Sequence, residues 1–457
     1  MGPESPVKSA YTPVRRCDGL TPGTHLVHYS RNLNRLSGLG IEAHTGRVAT
    51  TPKKGRVMRT RKSLMAVAAA AVGLALAACA PTGAGATGGS DSSGESTAPI
   101  DVGIVYSESG PLAAYGAAYK DGFEAGIDHA TGGTGEVDGR ALNVTFHDDA
   151  GDPEKAVSQA KDLIGKGYQI LAGTVVSGVA LPLAEQAEQN KVLYISGPAA
   201  VDTLTGINRY TFRSGRQSLQ DVATAGTFVE PDGAKVVVFA QDNAFGQGNL
   251  AAVEAVLGGQ GADVTSVLVP EDATEFTPFA KKVLDADADM VFVAWAGATT
   301  GAMWQGLDQQ GVLDRTTVVT GLGDVATYGA YGDAAEKVSF LNHYFPGAAG
   351  TETETAMLDA VEAAGGTPDL FTPDGFVAAQ MIVHAVQEGA GDVEAMVDAL
   401  EGYSFEGPKG QTTVRAADHA LIQPMYQARL VKEGDTWTPE LVEVVDGEAI
   451  APAEATE

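Results

Sequence analysis

From Asp101 onward the chain alternates short apolar, β-branched runs with longer amphipathic stretches. The pattern predicts strands at Val102–Tyr106, Leu142–His147, Ile170–Ala172, Val192–Ser196, Val236–Ala240, Val264–Val269, Met290–Ala294 and Val318–Thr320. Helices are predicted between them, near 115–130, 153–166, 179–190, 217–229, 246–260, 276–286 and 300–311, with another near 352–364. Runs such as VVVFA at Val236–Ala240 and MVFVA at Met290–Ala294 lack polar alternation, as strands covered on both faces do. Strands separated by helices of this length predict βαβ units and parallel sheets.

Two such blocks follow one another, about 101–218 and 219–343. Beyond them come two helical patterns, Pro373–Glu388 and Val393–Leu400, and a late strand pair around Gln427–Lys432. The expected fold class is therefore α/β, with two Rossmann-like lobes of parallel sheet joined by a hinge. The first lobe is expected to comprise 101–216 and 344–420, and the second 217–343 and 421–446, followed by an acidic tail at 447–457. The hinge is expected near Arg213–Gln217 and again near Leu341–Tyr344. In open α/β sheets ligands lie beyond the carboxyl ends of the strands, where loops meet helix N-termini. That singles out 106–115, 173–180, 196–202, 241–246, 295–301 and 321–325.

Ahead of this body the composition changes. Residues 1–79 hold 12 Lys/Arg against 3 Asp/Glu, whereas residues 80–457 hold 18 against 55. A body that acidic has no electrostatic case for nucleic acid or anionic lipid head groups. From Met58 the sequence reads MRTRKSLMAVAAAAVGLALAAC, in which Arg59, Arg61 and Lys62 precede a 15-residue apolar run from Leu64 to Ala78. As a helix that run spans about 22 Å, short of the roughly 30 Å hydrocarbon core. It reads as a signal peptide over 58–78 and not as a membrane span. Leu76-Ala77-Ala78-Cys79 is similar to a bacterial lipobox, so lipidation at Cys79 is expected, with display on the extracytoplasmic face of the cell membrane. The alternative is an ordinary secretory signal with Cys79 incidental. Residues 79–100 are rich in Gly, Ser, Thr and Ala and predict a flexible tether. Residues 1–57 resemble no targeting segment, and translation is expected to start at Met58; a disordered extension is the alternative.

Chemistry-bearing motifs are scarce. The only cysteines, Cys17 and Cys79, precede the body, which leaves it no disulfide, thiolate or cysteine metal site. No Walker phosphate loop, G-x-S-x-G elbow or H-E-x-x-H occurs. His129, His147, His343, His384 and His419 are too scattered for a metal helix and are expected to be structural. Asp148-Asp149 could suggest paired catalytic carboxylates; a loop that caps the next helix through Asp152-Pro153 is the favoured account. Asp285, Asp287 and Asp289 read as a solvated turn. Met303 and Trp304 are expected to pack, while Trp295, at a strand end, either packs or faces the cleft.

Several segments in order carry a resemblance: SGPLAAYG (Ser109–Gly116), HDDAGDPEKAV (His147–Val157), AGTVVSGVALPLA (Ala172–Ala184), YISGPAAVDTLTG (Tyr194–Gly206), FRSGRQS (Phe212–Ser218), AQDNAFGQG (Ala240–Gly248) and TEFTPFAKKV (Thr274–Val283). Over about 101–435 the chain resembles the type I periplasmic binding proteins, in the leucine/isoleucine/valine-binding branch of ABC-transporter receptors. The resemblance implies a non-catalytic monomer without cofactor or metal. It would hold a small amino acid or related amide or acid between two lobes and hand it to a permease. Ligand contacts carried over by position are Ser177, Pro198, Ala199 and Ala200 in the first lobe, with Tyr115 and Phe245 as aromatic walls. Trp295 stands near an aromatic position of the second lobe, and Asp324 is the nearest acidic candidate for the ammonium, with Gly323 the competing position. Ala200 stands where the family often has Thr, and Pro198 lacks an N–H. The family's paired cysteines align with Gly151 and Val176, so both are absent together. Two other readings are a sensor lobe for a signalling partner, which calls for a C-terminal output segment, and a secreted α/β hydrolase, which calls for a nucleophile–His pair.

Overall fold

A computed structural model describes residues 98–455 apart from Leu322. The expectations for 1–57, the signal peptide 58–78, Cys79 and nearly all of the tether therefore lie outside the described residues. The first sheet contains β1 (Ile100–Tyr106), β2 (Glu136–Val137), β3 (Arg140–Asp148), β4 (Ile170–Ala172), β5 (Leu193–Ser196) and β6 (Thr211–Arg213), in the order β2-β3-β1-β4-β5-β6. All pairings are parallel except the short β2–β3 hairpin. β1 is apolar and buried almost throughout because helices cover both its faces. Its flanking helices are α1 (Ala113–Ala130), α2 (Pro153–Gly165) and α3 (Ser177–Asn190).

The expected cap at Asp152 is present. Its carboxylate accepts from the N–H groups of Glu154 and Lys155, and Pro153 opens α2, where a missing N–H costs nothing. Asp148 and Asp149 brace the same loops instead of forming a catalytic pair. Asp148 accepts from Ser109 and Lys155, and Asp149 from Ser107 and Thr174.

The second lobe continues with α4 (Ser218–Ala225), β7 (Lys235–Gln241), α5 (Ala244–Val256), β8 (Asp263–Val269), α6 (Thr277–Asp285), β9 (Met290–Ala294), α7 (Thr300–Gln309), β10 (Thr317–Gly321) and β11 (Val338–Asn342). The chain then returns to the first lobe as α8 (Glu352–Ala363), α9 (Thr372–Gly389) and α10 (Val393–Leu400). A small antiparallel sheet follows, of β12 (Ser404–Gly407), β13 (Gly410–Val414) and β14 (Leu421–Ile422). Finally β15 (Met425–Glu433) and β16 (Thr436–Val445) complete the second sheet, ordered β16-β15-β11-β10-β9-β7-β8. β15 joins β11 antiparallel, ending the parallel run.

α1 and α9 cross almost backbone to backbone. A Cβ on Gly122 would stand 1.9 Å from the carbonyl oxygen of Thr372, and one on Gly375 1.9 Å from that of Tyr119. Only glycine permits that approach. The crossing fixes α9 against the first lobe and so fixes Phe371 and Asp374, which matter below.

Three segments pass between the sheets: 214–217, 343–351 and Gln423–Pro424. The third corrects the expected boundary at 420/421, because Leu421–Ile422 pairs with Thr413–Val414 and stays with the first lobe. The tail is also more than an acidic end. After β16 it runs back to the first lobe, where Arg415 donates to the Pro452 carbonyl at 2.7 Å and Ala455 N–H reaches Asp418 at 2.9 Å. Among the described residues no helix is long and apolar enough to cross a membrane.

Candidate ligand-binding site

Strand ends and helix starts from both sheets enclose a cavity of about 400 Å³. Its location at the carboxyl ends of the parallel strands follows from the topology. Of the positions carried over from the resemblance, Tyr115, Ser177, Pro198, Ala200, Phe245 and Trp295 all line it.

Ser177 is the first residue of α3, where the first N–H groups of a helix have no internal partner. The residue is buried and lines the cavity, and among the described residues its hydroxyl makes no hydrogen bond. Tyr115 rises from the start of α1 and meets the Phe371 ring edge-on at 5.0 Å. Burial holds the Tyr115 hydroxyl well above the usual phenol range, so it stays a neutral donor. In the second lobe Trp295 stacks on Phe239 at 5.5 Å and donates its indole N–H to Thr299 at 3.0 Å. It therefore packs and faces the cavity at once. Trp304, expected only to pack, is buried against Tyr331 and also reaches the lining.

Two predicted contacts are not in the lining. Ala199 is fully buried behind it, its carbonyl accepting from the Arg213 guanidinium at 2.7 Å. The loop 198–200 leads into a single 3-10 turn, Asp202–Leu204, and not directly into an α-helix. Asp324 is the other. Its carboxylate accepts from Thr327 N–H at 2.8 Å and caps the irregular 3-10 segment Val325–Glu336. Gly323, not Asp324, lines the cavity. An Asp beside a helix start satisfies an orphan N–H more cheaply than it waits for a ligand.

The residues that sequence reasoning passed over form the cavity floor at the crossings. Arg216 is 8% exposed and lines the cavity. Its Nη1 donates to the Pro198 carbonyl at 2.8 Å, and its Nε lies 3.2 Å from Asp221 of α4. One guanidinium thus touches both lobes. The Phe371 ring centre lies 5.4 Å beneath it. Among the described residues Nη2 has no acceptor.

His343, expected to be structural, is buried, lines the cavity and links two further buried groups. Its Nε2 is 2.6 Å from Asp374 Oδ1 and its Nδ1 is 3.2 Å from Lys409 Nζ. An ammonium can only donate, so Nδ1 accepts and Nε2 carries the hydrogen toward Asp374. Burial, then the charges of Lys409 and Arg216, hold the imidazole well below its usual pKa and therefore neutral. Burial likewise pushes Asp374 up to about 7 and Lys409 down to about 7. The signal for this floor in the sequence is FRSGRQS at a predicted crossing, where Arg213 and Arg216 stand three residues apart.

The cavity can hold a small organic body against aromatic walls and offer hydrogen bonds from Ser177, Tyr115 and Arg216. Among the described residues no His/Cys/Asp/Glu cluster suits a metal. Among the described residues the histidine in the lining, His343, is engaged by Asp374 and Lys409 and not by Ser177.

Comparison with known proteins agrees with this architecture. The family model described as "Periplasmic binding protein" matches residues 99–435. The Leu/Ile/Val-binding protein BraC3 of Rhizobium johnstonii is 26% identical over 313 residues, covering 66% of this chain and 84% of that protein. The Leu/Ile/Val-binding protein homolog 3 of Brucella melitensis is 27% identical over 329 residues, covering 69% of this chain and 87% of that protein. The crystal structure of an ABC-type branched-chain amino acid transporter protein from Rhodopseudomonas palustris shares 29% identity at a TM-score of 0.66, covering 78% of this chain and 100% of that one. A solute-binding protein of R. palustris in complex with 4-hydroxybenzoate has the same fold at a TM-score of 0.70 and 21% identity, over 76% of this chain and 98% of that one. The chain belongs to the periplasmic binding protein family, a family of ABC-transporter substrate-binding receptors and not of enzymes.

Proposed function

We propose that this protein is a lipid-anchored extracytoplasmic receptor that captures a small amino acid or related acid and delivers it to an ABC permease. The observation that carries the reading is the cavity between the two sheets, in which Ser177 and Arg216 keep unspent hydrogen-bond donors beside walls that are otherwise largely apolar. Such a site binds an anion at one end and an apolar body at the other. The anchor rests on the lipobox-like Leu76–Cys79, and delivery on the family's association with importers. The named binding partners of the relatives, branched-chain amino acids and 4-hydroxybenzoate, share a carboxylate on an apolar body.

The test is to purify the mature chain, denature it and identify the small molecules released by mass spectrometry. A carboxylate-bearing solute in near-stoichiometric amount is expected. Added back at about 100 times its dissociation constant, it should stabilise the protein by about 2.7 kcal/mol. Ester hydrolysis by the purified chain, abolished in Ser177→Ala, would instead favour the hydrolase reading.

A further inference from the structure

We propose that segment 446–455 is a strap that doubles the third crossing and holds the two lobes toward the closed arrangement, its far end gripped by a clasp of Arg415 and Asp418. This goes beyond the receptor reading and does not depend on which ligand the cavity takes. The segment begins at the pivot. Val445, the last residue of β16, pairs with Met425, the first residue of β15, and Met425 directly follows the crossing Gln423–Pro424. Two runs of chain therefore leave the second sheet side by side. One is the crossing itself. The other turns at Asp446, whose carboxylate accepts from Glu448 N–H at 2.9 Å and from Ala449 N–H at 3.3 Å.

The strap then lies on the crossing. A Cβ on Gly447 would stand 2.7 Å from the carbonyl carbon and oxygen of Gln423, so backbone meets backbone there. Beyond it Ile450 and Pro452 are buried. The first lobe holds the far end. Arg415 and Asp418 form a two-bond ion pair, Nε to Oδ1 at 2.8 Å and Nη2 to Oδ2 at 2.7 Å, with Asp418 buried. Each partner also takes one bond from the strap: Arg415 Nη1 donates to the Pro452 carbonyl at 2.7 Å, and Asp418 Oδ2 accepts from Ala455 N–H at 2.9 Å. Asp418 is itself tied to the first lobe, its carbonyl accepting from Gly206 N–H at 2.8 Å. Charge-assisted bonds of this kind hold more firmly than neutral ones.

The mechanical consequence follows from how hinges bend. Domain closure is absorbed by φ and ψ changes at a few residues. The third crossing offers only Gln423 and Pro424, and the proline ring fixes one of those angles. A second run of chain, clasped at its far end, must bend with the crossing or lose its bonds. All of these contacts are satisfied with the lobes close together: a Cβ on Gly178, near the start of α3, would stand 3.8 Å from the Cβ of Ala244, at the start of α5. Contacts made in one arrangement and strained in another shift the population toward the first. The strap therefore opposes opening of the cleft.

Pulsed electron spin resonance reads the opening directly. Spin labels would be attached through Glu185→Cys on α3 and Glu254→Cys on α5, both exposed positions, in the mature chain carrying Cys79→Ser and freed of endogenous ligand by unfolding and refolding. With the strap intact, a short and narrow distance distribution is expected. Truncation after Val445 should lengthen the mean distance and broaden the distribution, and Arg415→Gln in the full chain should do the same to a smaller extent. An unchanged or shorter distance in either variant that folds overturns the proposal and leaves the receptor reading untouched. Where neither variant folds, amide exchange on the wild type decides. Protection of Ala455 N–H to the level of Gly206 N–H upholds the clasp, and exchange at the rate of an exposed amide overturns it.

Discussion

Lys409→Met tests the polar floor of the hinge most sharply, because methionine keeps the length and shape of the stem while removing the charge. The ammonium is buried, 3.2 Å from His343 Nδ1 and 3.9 Å from Met425 Sδ, with the Tyr426 ring centre at 5.8 Å. Burial lowers its pKa from 10.5 to about 7; Asp374 favours the charge and Arg216 opposes it. Unfolded, the same lysine stays protonated up to about 10.5. Between those two values the unfolded state binds more protons, so stability rises with pH. The full interval is worth on the order of 5 kcal/mol, of which about 2 kcal/mol falls between pH 7 and pH 9.

Asp374 acts in the opposite sense. Its carboxyl is raised from 3.8 to about 7, so the folded state binds the extra proton and stability falls as pH climbs from about 4 to 7. Together the pair gives the wild type a stability minimum near neutrality. Lys409→Met should lose the alkaline limb and keep the acid limb. At pH 7 it should be at least as stable as wild type, because an unpaired buried charge has been replaced by an apolar group of similar volume. Guanidinium unfolding followed by tryptophan fluorescence at pH 6, 7, 8 and 9 measures both limbs. Parallel curves for the two proteins from pH 7 to 9 would refute the reasoning.

Three further outcomes are expected. Gly122→Ala forces a methyl to within 1.9 Å of the Thr372 carbonyl, so it should cost about 1–3 kcal/mol or more, read as a fall in thermal midpoint. Cys79→Ala should release the protein into the medium or leave an uncleaved precursor; a variant that stays membrane-bound at mature mass excludes lipidation at that residue. The two lobes should close about the crossings when ligand binds, so small-angle scattering should show a smaller radius of gyration at saturation, and an unchanged radius counts against closure.

The parallel strands were legible because burial on both faces leaves uninterrupted apolar runs, as in Val236–Ala240 and Met290–Ala294. What escaped were strands without that signature. Thr211–Arg213 is three residues long and ends in a buried arginine. Val338–Asn342 is interrupted by Ser339, ends in Asn342 and follows an irregular 3-10 segment. At the site, the positions that the resemblance carries over, Ser177, Tyr115 and Phe245, all stand at helix starts and reach the lining. Arg216, Asp221, His343 and Phe371 come from four separate segments, and only the three-dimensional crossing brings them together. Asp324 is the converse: composition and position make it the acidic candidate for an ammonium, but the backbone N–H three residues later claims it and Gly323 lines the cavity instead.

The cavity floor and the hinge are built from the same residues, and that has a mechanical consequence. A ligand shifts the lobes only through contacts it makes better in one arrangement than in another. Phe245 and Trp295 belong to the second lobe, while Ser177 and Tyr115 belong to the first, so a ligand can engage both sets only when the lobes meet. Arg216 differs from all four. It lies in a crossing, bonds to Pro198 on one side and Asp221 on the other, and sits where a rotation displaces atoms least. A carboxylate can therefore reach it before closure, and the aromatic walls then contribute only as the cleft shuts. Affinity for the open form should depend chiefly on the charge at Arg216, and the gain on closing chiefly on the apolar body. That division would let a body bearing so much net negative charge take up a small anion, because the attraction is short-ranged and sited at the pivot, inside a cavity where water screens it least.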